Sequence, residues 1–510
     1  MNGTLDLTSN HGTAIYMSGG SLTTAANSTV DIISTISDEY SWVTGSTVSN
    51  IYNGVYIQGG SLTANGTFNV THEGEANDTS YQHYDDLVVR SYAVRVEGTT
   101  STTVALTKGT IKNTVGGGVY VSGTENVNVY LGGWMLNGEG QWDEGTDSVE
   151  MAVITEGTGT SEEYYAHNTG NQTSSEDAWN FKKNESGGHA IEIVGGTVHI
   201  NGGDYSAKMG NGILVSNGTA YIYDGDFVGA DSYKANTTSG DLAGAAASYG
   251  FKMYGGTAYI TGGTFGNTGQ SGSGAFITAS SSNSATAEIS NATFNVGGTT
   301  GFSVHRNATV PFKGNSNTVQ GVSTGLAIED VSYGANDGSQ KGSSVTIEGG
   351  TFAGTNSTEE NDNTNGIYYG EGSSTLTITG GKFIGNTNAG LRIDDNPGAN
   401  IQISGSGGGV HNTNHSRGNG NDNSQGVNEP TTTTTYFVGA ERAIETAENY
   451  GSIGNRLEFS DIISDSTGTA YGYYYYSGFL GIGAEYRTES VRSNGGNVYN
   501  GVTYLEIWFE

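Results

Sequence analysis

The sequence predicts an all-β solenoid whose coils each hold three short strands. The first observation is a recurring motif: a small residue, apolar-x-apolar, a Gly-rich turn, Ser or Thr, and apolar-x-apolar again. The second is its period of two, which is typical of strands with one buried face. The third is regular recurrence, with copies opening at Ala190, Gly212, Ala14, Gly54, Ala93, Gly118, Gly250, Gly274, Gly301, Gly325, Gly366 and Gly390.

Each copy of the motif supplies the strands of one coil. In one copy, Ile191 and Ile193 mark the first strand, and Val198 and Ile200 mark the second. A single aromatic residue marks a third strand after the next Gly-rich corner, at Tyr205, Phe227, Phe265, Phe294, Phe352 and Phe383. Stacked coils place equivalent residues roughly 4.8 Å apart. We therefore expect the apolar positions to form continuous internal columns, which only a stack of coils can bury.

The composition fits a thin solenoid. Gly is frequent, at 84 of 510 residues, and Pro is rare, at 3. The glycines recur at corners, where left-handed backbone is needed. Apolar residues make up 34% of the chain, which is enough for a core one coil wide. The sequence predicts one solenoid domain over residues 1–406, a Gly/Asn/Thr-rich loop or linker over 407–435, and a β-rich cap or assembly region over 436–510.

Two kinds of segment depart from the repeated motif. Polar inserts, expected as surface loops, cover residues 73–90, 137–150, 156–187, 229–248 and 354–365. In the C-terminal region, segment 440–447 predicts either a short helix or one further coil. Beyond it, the tyrosine-rich run and the alternating apolar residues predict strands that cap the solenoid, at Tyr471, 473–476, Leu505, Ile507 and Phe509.

The net charge of the chain limits the classes of partner that it is expected to bind. A net charge of −32 opposes binding to nucleic acids or anionic membranes. Because the chain has no cysteine, disulfides and Cys-ligated metals are excluded, and the nine histidines show no metal-ligand spacing. No apolar run is long enough to span a membrane. We expect no cofactor, although an acidic surface of this kind can bind Ca²⁺ weakly.

The coil pattern resembles the right-handed parallel β-helix, or pectate-lyase-like, superfamily over roughly the first four-fifths of the chain. The resemblance implies a right-handed parallel β-helix, and it implies membership of a group containing polysaccharide lyases, hydrolases, tailspikes, adhesins and surface filaments. In the polygalacturonase branch, catalysis is associated with clustered aspartates, a Gly-His-Gly motif and an Arg-Ile-Lys motif. The nearest matches here are Asp394-Asp395 and the isolated Gly188-His189, and neither full motif follows.

Paired carboxylates are the other candidates for catalysis, because two can act as general acid and base across a sugar. Asp394 and Asp395 adjoin at a strand end, where we expect a turn-forming role. Asp85 and Asp86 lie in a polar insert, where we expect them to be solvated. The sequence therefore predicts no catalytic residue.

The outward residue between two apolar positions forms columns along the predicted stack. In the first strand this column contains Tyr16, Tyr56, Tyr120, Lys252, Tyr368 and Arg392, and in the second it contains His199, Tyr221 and Tyr259. Aromatic faces in a row can stack on sugar rings or on a partner protein. Glycan- or partner-stacking candidates are therefore Tyr16, Tyr56, Tyr120, Tyr221 and Tyr259. The alternative is that strands simply favour tyrosine.

Sequons of the form Asn-x-Ser/Thr indicate candidate N-glycosylation sites. Their number is close to the chance expectation for a chain rich in Asn, Ser and Thr, so the sequons permit glycosylation without establishing it. The candidates are Asn27, Asn65, Asn69, Asn77, Asn171, Asn184, Asn217, Asn236, Asn291, Asn307, Asn356 and Asn414.

Two functional hypotheses remain. The first is an extracellular or cell-surface structural or adhesive protein: a rigid, acidic rod that is glycosylated, has no enzyme activity and self-associates head-to-tail into filaments. The second is a polysaccharide-binding or polysaccharide-degrading protein. The assembly hypothesis rests on residues 2–7, which match 217–222 and so start in mid-coil. It predicts that Leu5 and Leu7 are covered by a second copy or by other sequence.

Overall fold

The fold was analysed in a computed structural model. The structure describes residues 3–10, 12–36, 53–74, 92–114, 116–137, 141–145, 151–155, 188–207, 210–229, 249–267, 273–279, 283–295, 299–329, 342–355, 364–370, 374–385, 389–393, 400–404, 409–411, 435–439, 442–446, 457–460, 470–475, 492–493, 497–499 and 502–509. Within these ranges the regular structure consists of β-strands and contains no helix. The chain divides into two compact units, Met1–Gly272 and Ser273–Glu510.

The strands of the first unit are β1 (Thr4–Ser9), β2 (Ile15–Thr24), β3 (Thr29–Ile36), β4 (Val55–Ala64), β5 (Thr67–Gly74), β6 (Tyr92–Gly98), β7 (Thr102–Leu106), β8 (Gly109–Asn113), β9 (Gly117–Gly123), β10 (Val127–Gly132), β11 (Trp134–Leu136), β12 (Trp142–Glu144), β13 (Met151–Thr155), β14 (Ile191–Ile193), β15 (Thr197–Ala207), β16 (Ile213–Val215), β17 (Thr219–Gly229), β18 (Tyr249–Met253), β19 (Gly256–Ile260) and β20 (Thr264–Asn267).

The strands of the second unit are β21 (Ser273–Ile277), β22 (Ala285–Ser290), β23 (Thr293–Asn295), β24 (Thr300–Val304), β25 (Ala308–Lys313), β26 (Thr318–Gly321), β27 (Thr324–Ile328), β28 (Ser344–Ile347), β29 (Thr351–Gly354), β30 (Asn365–Tyr369), β31 (Thr375–Ile378), β32 (Gly381–Gly385), β33 (Ala389–Ile393), β34 (Asn400–Ser404), β35 (Gly409–His411), β36 (Thr435–Gly439), β37 (Arg442–Thr446), β38 (Leu457–Ser460), β39 (Ala470–Tyr475), β40 (Arg492–Ser493), β41 (Asn497–Tyr499) and β42 (Val502–Phe509).

Parallel pairing organises the first unit into three sheets. The first sheet runs through the starts of β2 and β4 and then β6, β9, β14, β16 and β18. The second runs through the ends of β2 and β4 and then β7, β10, β15, β17 and β19. The third contains β1, β3, β5, β8, β13, the ends of β15 and β17, and β20. This unit is an all-β parallel β-helix with three strands per coil.

The predicted inward alternation is confirmed. Ile191 pairs with Ile213, and Val198 pairs with Ala220, so each apolar residue stacks on its equivalent in the next coil. The members of these columns are fully buried: Ile191, Ile193, Val198, Ile200, Ile213, Val215, Ala220 and Ile222. Period 2 therefore identified the buried face of each strand.

Aromatic residues fill the third corner of the core, as the sequence predicts. Tyr205, Phe227 and Phe265 are fully buried and stack in sequence, with ring centroids 4.9 and 4.8 Å apart. In the second unit Phe352 stacks on Phe383 at 5.4 Å. Where consecutive coils each supply a ring, the rings stack at the strand spacing, whereas Val319 stands in register between Phe294 and Phe352.

Glycine is required at a corner that stacks on the same corner of the preceding coil. Gly20 and Gly60 occupy the same place in consecutive copies of a Gly-Gly-Ser-Leu-Thr segment, with φ of 79° and 89°. A Cβ added at Gly60 would lie 2.3 Å from the carbonyl oxygen of Gly20, whereas a Cβ at Gly20 would meet nothing within 4 Å. Left-handed backbone alone disfavours other residues at Gly20, and coil-to-coil contact also excludes them at Gly60.

A polar column interrupts the apolar interior of the third sheet. Ser34, His72, Asn113 and Thr155 follow one another in register and are buried. His72 Nδ1 lies 3.2 Å from Ser34 Oγ, and Asn113 Nδ2 donates to the Gly117 carbonyl at 2.7 Å. Burial lowers the pKa of His72 to about 4, so its imidazole is neutral at pH 7.

The second unit repeats the architecture. Its three parallel sheets contain β21, β24, β27, β30, β33 and β37; β22, β25, β28, β31, β34 and β38; and β23, β26, β29, β32 and β36. Parallel pairing thus continues through β36, β37 and β38, beyond residue 406. Segment 440–447 contains strand β37, which extends the coils and is not helical. Antiparallel pairing appears at β39 with β42.

The first described strand belongs to the third sheet. Residues 2–7 match a second-strand segment in sequence, yet β1 pairs with β3, where Leu5 lies opposite Val30 and Leu7 opposite Ile32. Both leucines point inward and are half-buried. Within the described residues no strand pairs with the other edge of β1 or β2, and Leu22 in β2 is 38% exposed. Its equivalent in the next coil, Leu62, is fully buried.

Candidate functional site

The first sheet carries an outward column that we call the tyrosine–arginine column: Tyr16, Tyr56, Arg95 and Tyr120, in register on successive coils. Each of these residues lies between two inward apolar neighbours, which are buried on β4, β6 and β9 and half-buried on β2, and it therefore points outward. Tyr16 is 57% exposed, and the others are half-buried. Arg95 interrupts the row of tyrosines that the sequence predicts.

Hydrogen bonds tie this column together across coils. The Tyr16 hydroxyl donates to Gln58 Oε1 at 2.6 Å, and Gln58 Nε2 donates to the Tyr56 hydroxyl at 2.6 Å. The Tyr56 hydroxyl donates to Glu97 Oε2 at 2.7 Å. Glu97 also forms an ion pair with Arg95. The side chains of three consecutive coils thus form one connected network.

Cation–π contacts continue the column on the far side of Arg95. Its guanidinium carbon lies 4.9 Å from the centre of the Tyr120 ring and 5.8 Å from that of Tyr56. Burial and the Glu97 carboxylate raise the pKa of Tyr56 to about 12, and burial raises the pKa of Tyr120. Both phenols are therefore protonated at neutral pH.

The column continues into Glu192 of β14, which lies between the buried Ile191 and Ile193. Glu192 pairs in register with Tyr120 and is half-buried. Its Oε2 accepts a hydrogen bond of 2.6 Å from the Tyr92 hydroxyl, and the Tyr92 ring lies 4.7 Å from that of Tyr120. Tyr92 thus reaches across β9 to bind Glu192, which lies two coils away on the outer surface.

The other residues predicted for the first-strand column differ in environment. Lys252 is almost completely buried, with Nζ 5.0 Å from the ring centres of both Tyr249 and Tyr254. In the second unit, Tyr368 and Arg392 are in register, and the guanidinium lies 5.9 Å from the ring centre. Cation–π contacts thus occur in both units.

The second sheet carries a column of stacked rings that we call the aromatic ladder: Trp142, Tyr130, His199, Tyr221 and Tyr259. Centroid distances between successive rings are 5.1, 4.7, 4.9 and 5.0 Å. The last three pairs lie within 12° of parallel. Tyr130, His199, Tyr221 and Tyr259 stack because parallel register places them one strand spacing apart.

Trp142 reaches the ladder from outside the coil pattern. It lies in β12, which pairs antiparallel with β11 to form a hairpin within the predicted insert 137–150 and the residues just before it. Trp134, in β11, is buried and makes edge contacts with Tyr130, His199 and Tyr223. The two indoles thus hold the hairpin against the ladder, while Met135 and Leu136 are 52% and 49% exposed.

Stacking and burial set the protonation states of the ladder. Burial lowers the pKa of His199 to about 4 and raises the pKa of Tyr130. His199 points outward, as the sequence predicts, but it is enclosed between Tyr130 and Tyr221. At neutral pH the His199 imidazole is therefore uncharged.

A column of hydroxyl-bearing side chains runs beside the ladder in the second sheet. On β10, β15, β17 and β19 these residues lie two positions before the ladder residues, so they share the outer face. The register aligns Ser21, Ser61, Thr103, Asn128, Thr197, Thr219 and Thr257. Asn128 is the one member of this row without a hydroxyl. The outer face thus presents a row of polar groups beside a row of ring edges.

The predicted stacking residues point outward, but most of their ring faces are already in contact with other side chains. Tyr221 is stacked on both faces, by His199 and Tyr259. Tyr120 lies between Arg95 and Tyr92, whereas Tyr16 is the most open. A sugar ring stacks on a face rather than an edge, so the ladder interior offers edges and hydroxyls instead of platforms.

The described sequons differ in the hydrogen bonding, backbone conformation and exposure of their Asn residue. Asn65 donates to the Thr24 carbonyl, Asn69 to Asp31 and Asn307 to the Ala279 carbonyl. Asn291 and Asn307 adopt left-handed backbone, with φ of 53° and 56°, which Asn tolerates in turns. Side chains that are exposed belong to Asn27, Asn65, Asn217 and Asn291.

Several predicted residues lie outside the described ranges: Asp85, Asp86, Asp394, Asp395, Asn77, Asn171, Asn184, Asn236, Asn356 and Asn414. Among the described residues, no group of three or more His, Cys, Asp or Glu is arranged to hold a metal ion. The described part of the chain also contains no helix long and apolar enough to cross a membrane.

Sequence reasoning missed Arg95, Tyr130 and the two indoles. Arg95 and Tyr130 lie between apolar residues in their strands, so aligning every coil by its motif would have found them. Trp134 and Trp142 carry no such signal, because the hairpin follows no repeat. No known protein family, curated protein or solved structure matches this chain.

Proposed function

We propose that this chain is an extracellular structural or adhesive protein without enzyme activity. The observation that supports it best is that outward side chains bond along the stack: Tyr16 to Gln58, Tyr56 to Glu97, and ring to ring through the aromatic ladder. Such contacts join one coil to the next outside the core. They stiffen the stack against bending and shear, which is the property a load-bearing or display scaffold requires.

The acidic, hydroxyl-rich surface supports an extracellular or cell-surface location, where net charge keeps a protein soluble. Glycosylation at the exposed sequons belongs to the same proposal. The three-strand coil supports placement in the right-handed, pectate-lyase-like superfamily, in a surface or filament-forming branch. Weak Ca²⁺ binding to the acidic surface is compatible with this role, and no other cofactor is proposed.

Force spectroscopy on the full chain tests the mechanical part of the proposal. Tyr56→Phe removes the bond to Glu97 and leaves the core unchanged, so it should lower the unfolding force of the first coils. Thr197→Ser, on the same outer surface, keeps its hydroxyl and is the matched control. Equal unfolding forces for the wild-type protein and Tyr56→Phe would contradict the proposal.

Head-to-tail self-association is part of the proposed function. Leu5 and Leu7 are half-buried and Leu22 is 38% exposed, and among the described residues no strand pairs with the outer edge of β1 or β2. A second copy can extend both strands in parallel register and form a heterologous contact that grows.

Sedimentation across a concentration series tests the association. The wild-type chain should form oligomers, and Leu5→Lys should remain monomeric with its other coils folded. Thr4→Lys, at an exposed neighbouring position, adds the same charge and should associate. A wild-type chain that stays monomeric at high concentration would disprove this part.

Polysaccharide binding or degradation is the second candidate function. It is favoured by the hydroxyl-bearing column beside the two indoles, because neutral sugars use both hydrogen bonds and aromatic contacts. A panel of polysaccharides, with and without Ca²⁺, separates the candidates. Depolymerisation that is lost in an Asp394→Asn/Asp395→Asn double variant would replace the structural proposal with an enzymatic one.

A further inference from the structure

Tyr16 and Tyr56 form an accessible pair of phenols. Their ring centroids are 5.6 Å apart and the planes are inclined at 51°. Tyr16 is 57% exposed and so has room to turn toward its neighbour and is open to an oxidant. Other neighbouring tyrosines differ, since Tyr92 is buried beside Tyr120, and Tyr221 and Tyr259 are held nearly parallel at 12°.

The pair is also supplied with a proton acceptor. Loss of one electron makes a phenol strongly acidic, and the Tyr56 hydroxyl already donates to Glu97 Oε2 at 2.7 Å. Glu97 can therefore take that proton as the electron leaves, which yields a neutral phenoxyl radical. Tyr16 releases its proton to solvent, because it is exposed. The Gln58 side chain is hydrogen-bonded to both hydroxyl groups, at 2.6 Å each.

We propose that Tyr16 and Tyr56 are a site of oxidative cross-linking, where a peroxide-dependent one-electron oxidant joins them as dityrosine. Each phenol loses one electron and one proton, and the ortho carbons of the two radicals form a C–C bond. The two ortho hydrogens then move to the oxygens and restore both phenols. Hydrogen peroxide accepts the two electrons and two protons and becomes two waters.

The cross-link would act as a covalent staple between the first two coils. The chain contains no cysteine, so a disulfide cannot fill this role. Closing the loop between positions 16 and 56 lowers the entropy of the unfolded chain, as any cross-link does. Both tyrosines belong to one chain, so the inference does not depend on the proposed self-association.

The test oxidises the full chain at low concentration with a haem peroxidase and limiting hydrogen peroxide. Cleavage after acidic residues separates the two tyrosines, because Asp31, Asp38 and Glu39 lie between them. Monomer from a denaturing gel should yield one linked peptide whose mass is the sum of the two peptides less two hydrogens. The linked peptide should vanish in Tyr56→Phe, which is the decisive variant because the peptide that follows Glu39 also contains Tyr40 and Tyr52. It should persist in Tyr259→Phe, which removes an outward hydroxyl elsewhere.

Absence of the linked peptide from oxidised monomer would overturn the proposal, whether or not dityrosine forms elsewhere. Its loss in both variants would overturn it too, because the effect would then not be specific to this pair. A further readout is thermal unfolding of the first coils, which should shift upward after oxidation in the wild-type chain and not in Tyr16→Phe.

Discussion

The imidazole of His199 lies almost parallel to the phenol ring of Tyr221, with 4.9 Å between centroids and 5° between planes. This contact joins two coils on the outer surface, in register with the buried pair formed by Ile200 and Ile222. Neutral imidazole stacks with little loss of hydration, whereas imidazolium would have to lose water at a half-buried position.

The first prediction concerns pH. The pKa of His199 is about 4 in the folded chain and about 6.5 in the unfolded chain, so the unfolded chain binds more protons between these values. The stabilising contribution of the neutral ring is complete above pH 6.5 and is lost as the pH falls toward 4. His199→Phe keeps a stacking ring that does not titrate. Its urea-unfolding free energy should fall less steeply over this window, and identical slopes would contradict the assignment.

The second prediction concerns the core. Ile200→Asp places a carboxylate among fully buried apolar side chains, so the unfolding free energy should fall by about 3 kcal/mol or more. Thr197→Asp, outward on the same strand, should cost about 1 kcal/mol or less. Thermal unfolding followed by circular dichroism measures both. Similar losses in the two variants would mean that the strand faces are assigned incorrectly.

The third prediction concerns the hairpin. Trp142→Ala removes the stacked contact with Tyr130, which should weaken hairpin docking by about 1 kcal/mol. Amide hydrogen exchange should accelerate at β11 and β12 and remain unchanged in β15 and β17. Met135→Ala, at an exposed position on the same hairpin, serves as the control and should leave exchange as it is. Faster exchange throughout the coils would show that the hairpin supports the core itself.

The fourth prediction separates backbone strain from crowding. Gly20→Ala introduces a side chain at positive φ with open space around it and should cost about 1 kcal/mol. Gly60→Ala has the same strain and also brings a methyl within 2.3 Å of a backbone oxygen, so it should cost about 1–3 kcal/mol more. Melting temperatures of the two variants give the comparison. A smaller loss at Gly60 would be inconsistent with the close coil stacking at this corner.

The repeated motif allowed the fold to be predicted, because period 2 at Ile191 and Ile193 determines which face is buried. It also placed Tyr221 and Tyr259 in one column. It did not determine ring orientation, which depends on the neighbouring coil: Tyr221 is enclosed because His199 and Tyr259 stack on it. The motif also did not predict the contacts made by inserts, since Trp142 reaches the ladder from a hairpin with no periodic pattern.

The place of β1 shows another limit of pattern matching. Its sequence resembles a second strand, but alternating apolar residues fit any of the three sheets. Leu5 and Leu7 therefore pair with Val30 and Ile32 of a third strand. Similarly, residues 436–460 lack a clear motif, yet β36, β37 and β38 continue the parallel pairing. Local sequence indicates that a segment forms a strand, whereas its partner depends on the closure of the whole coil.

A chain built from repeated turns can misfold so that each turn packs against the wrong neighbour, one turn away from the native one. Apolar columns resist this error weakly, because valine, isoleucine and leucine replace one another at small cost. The buried run from Ser34 through His72 and Asn113 to Thr155 does not permit such replacement. A chain displaced by one turn would separate His72 from Ser34 and lose the buried contact between them. Ser34 and His72 thereby favour the native pairing of their two strands, β3 and β5, over a pairing shifted by one turn.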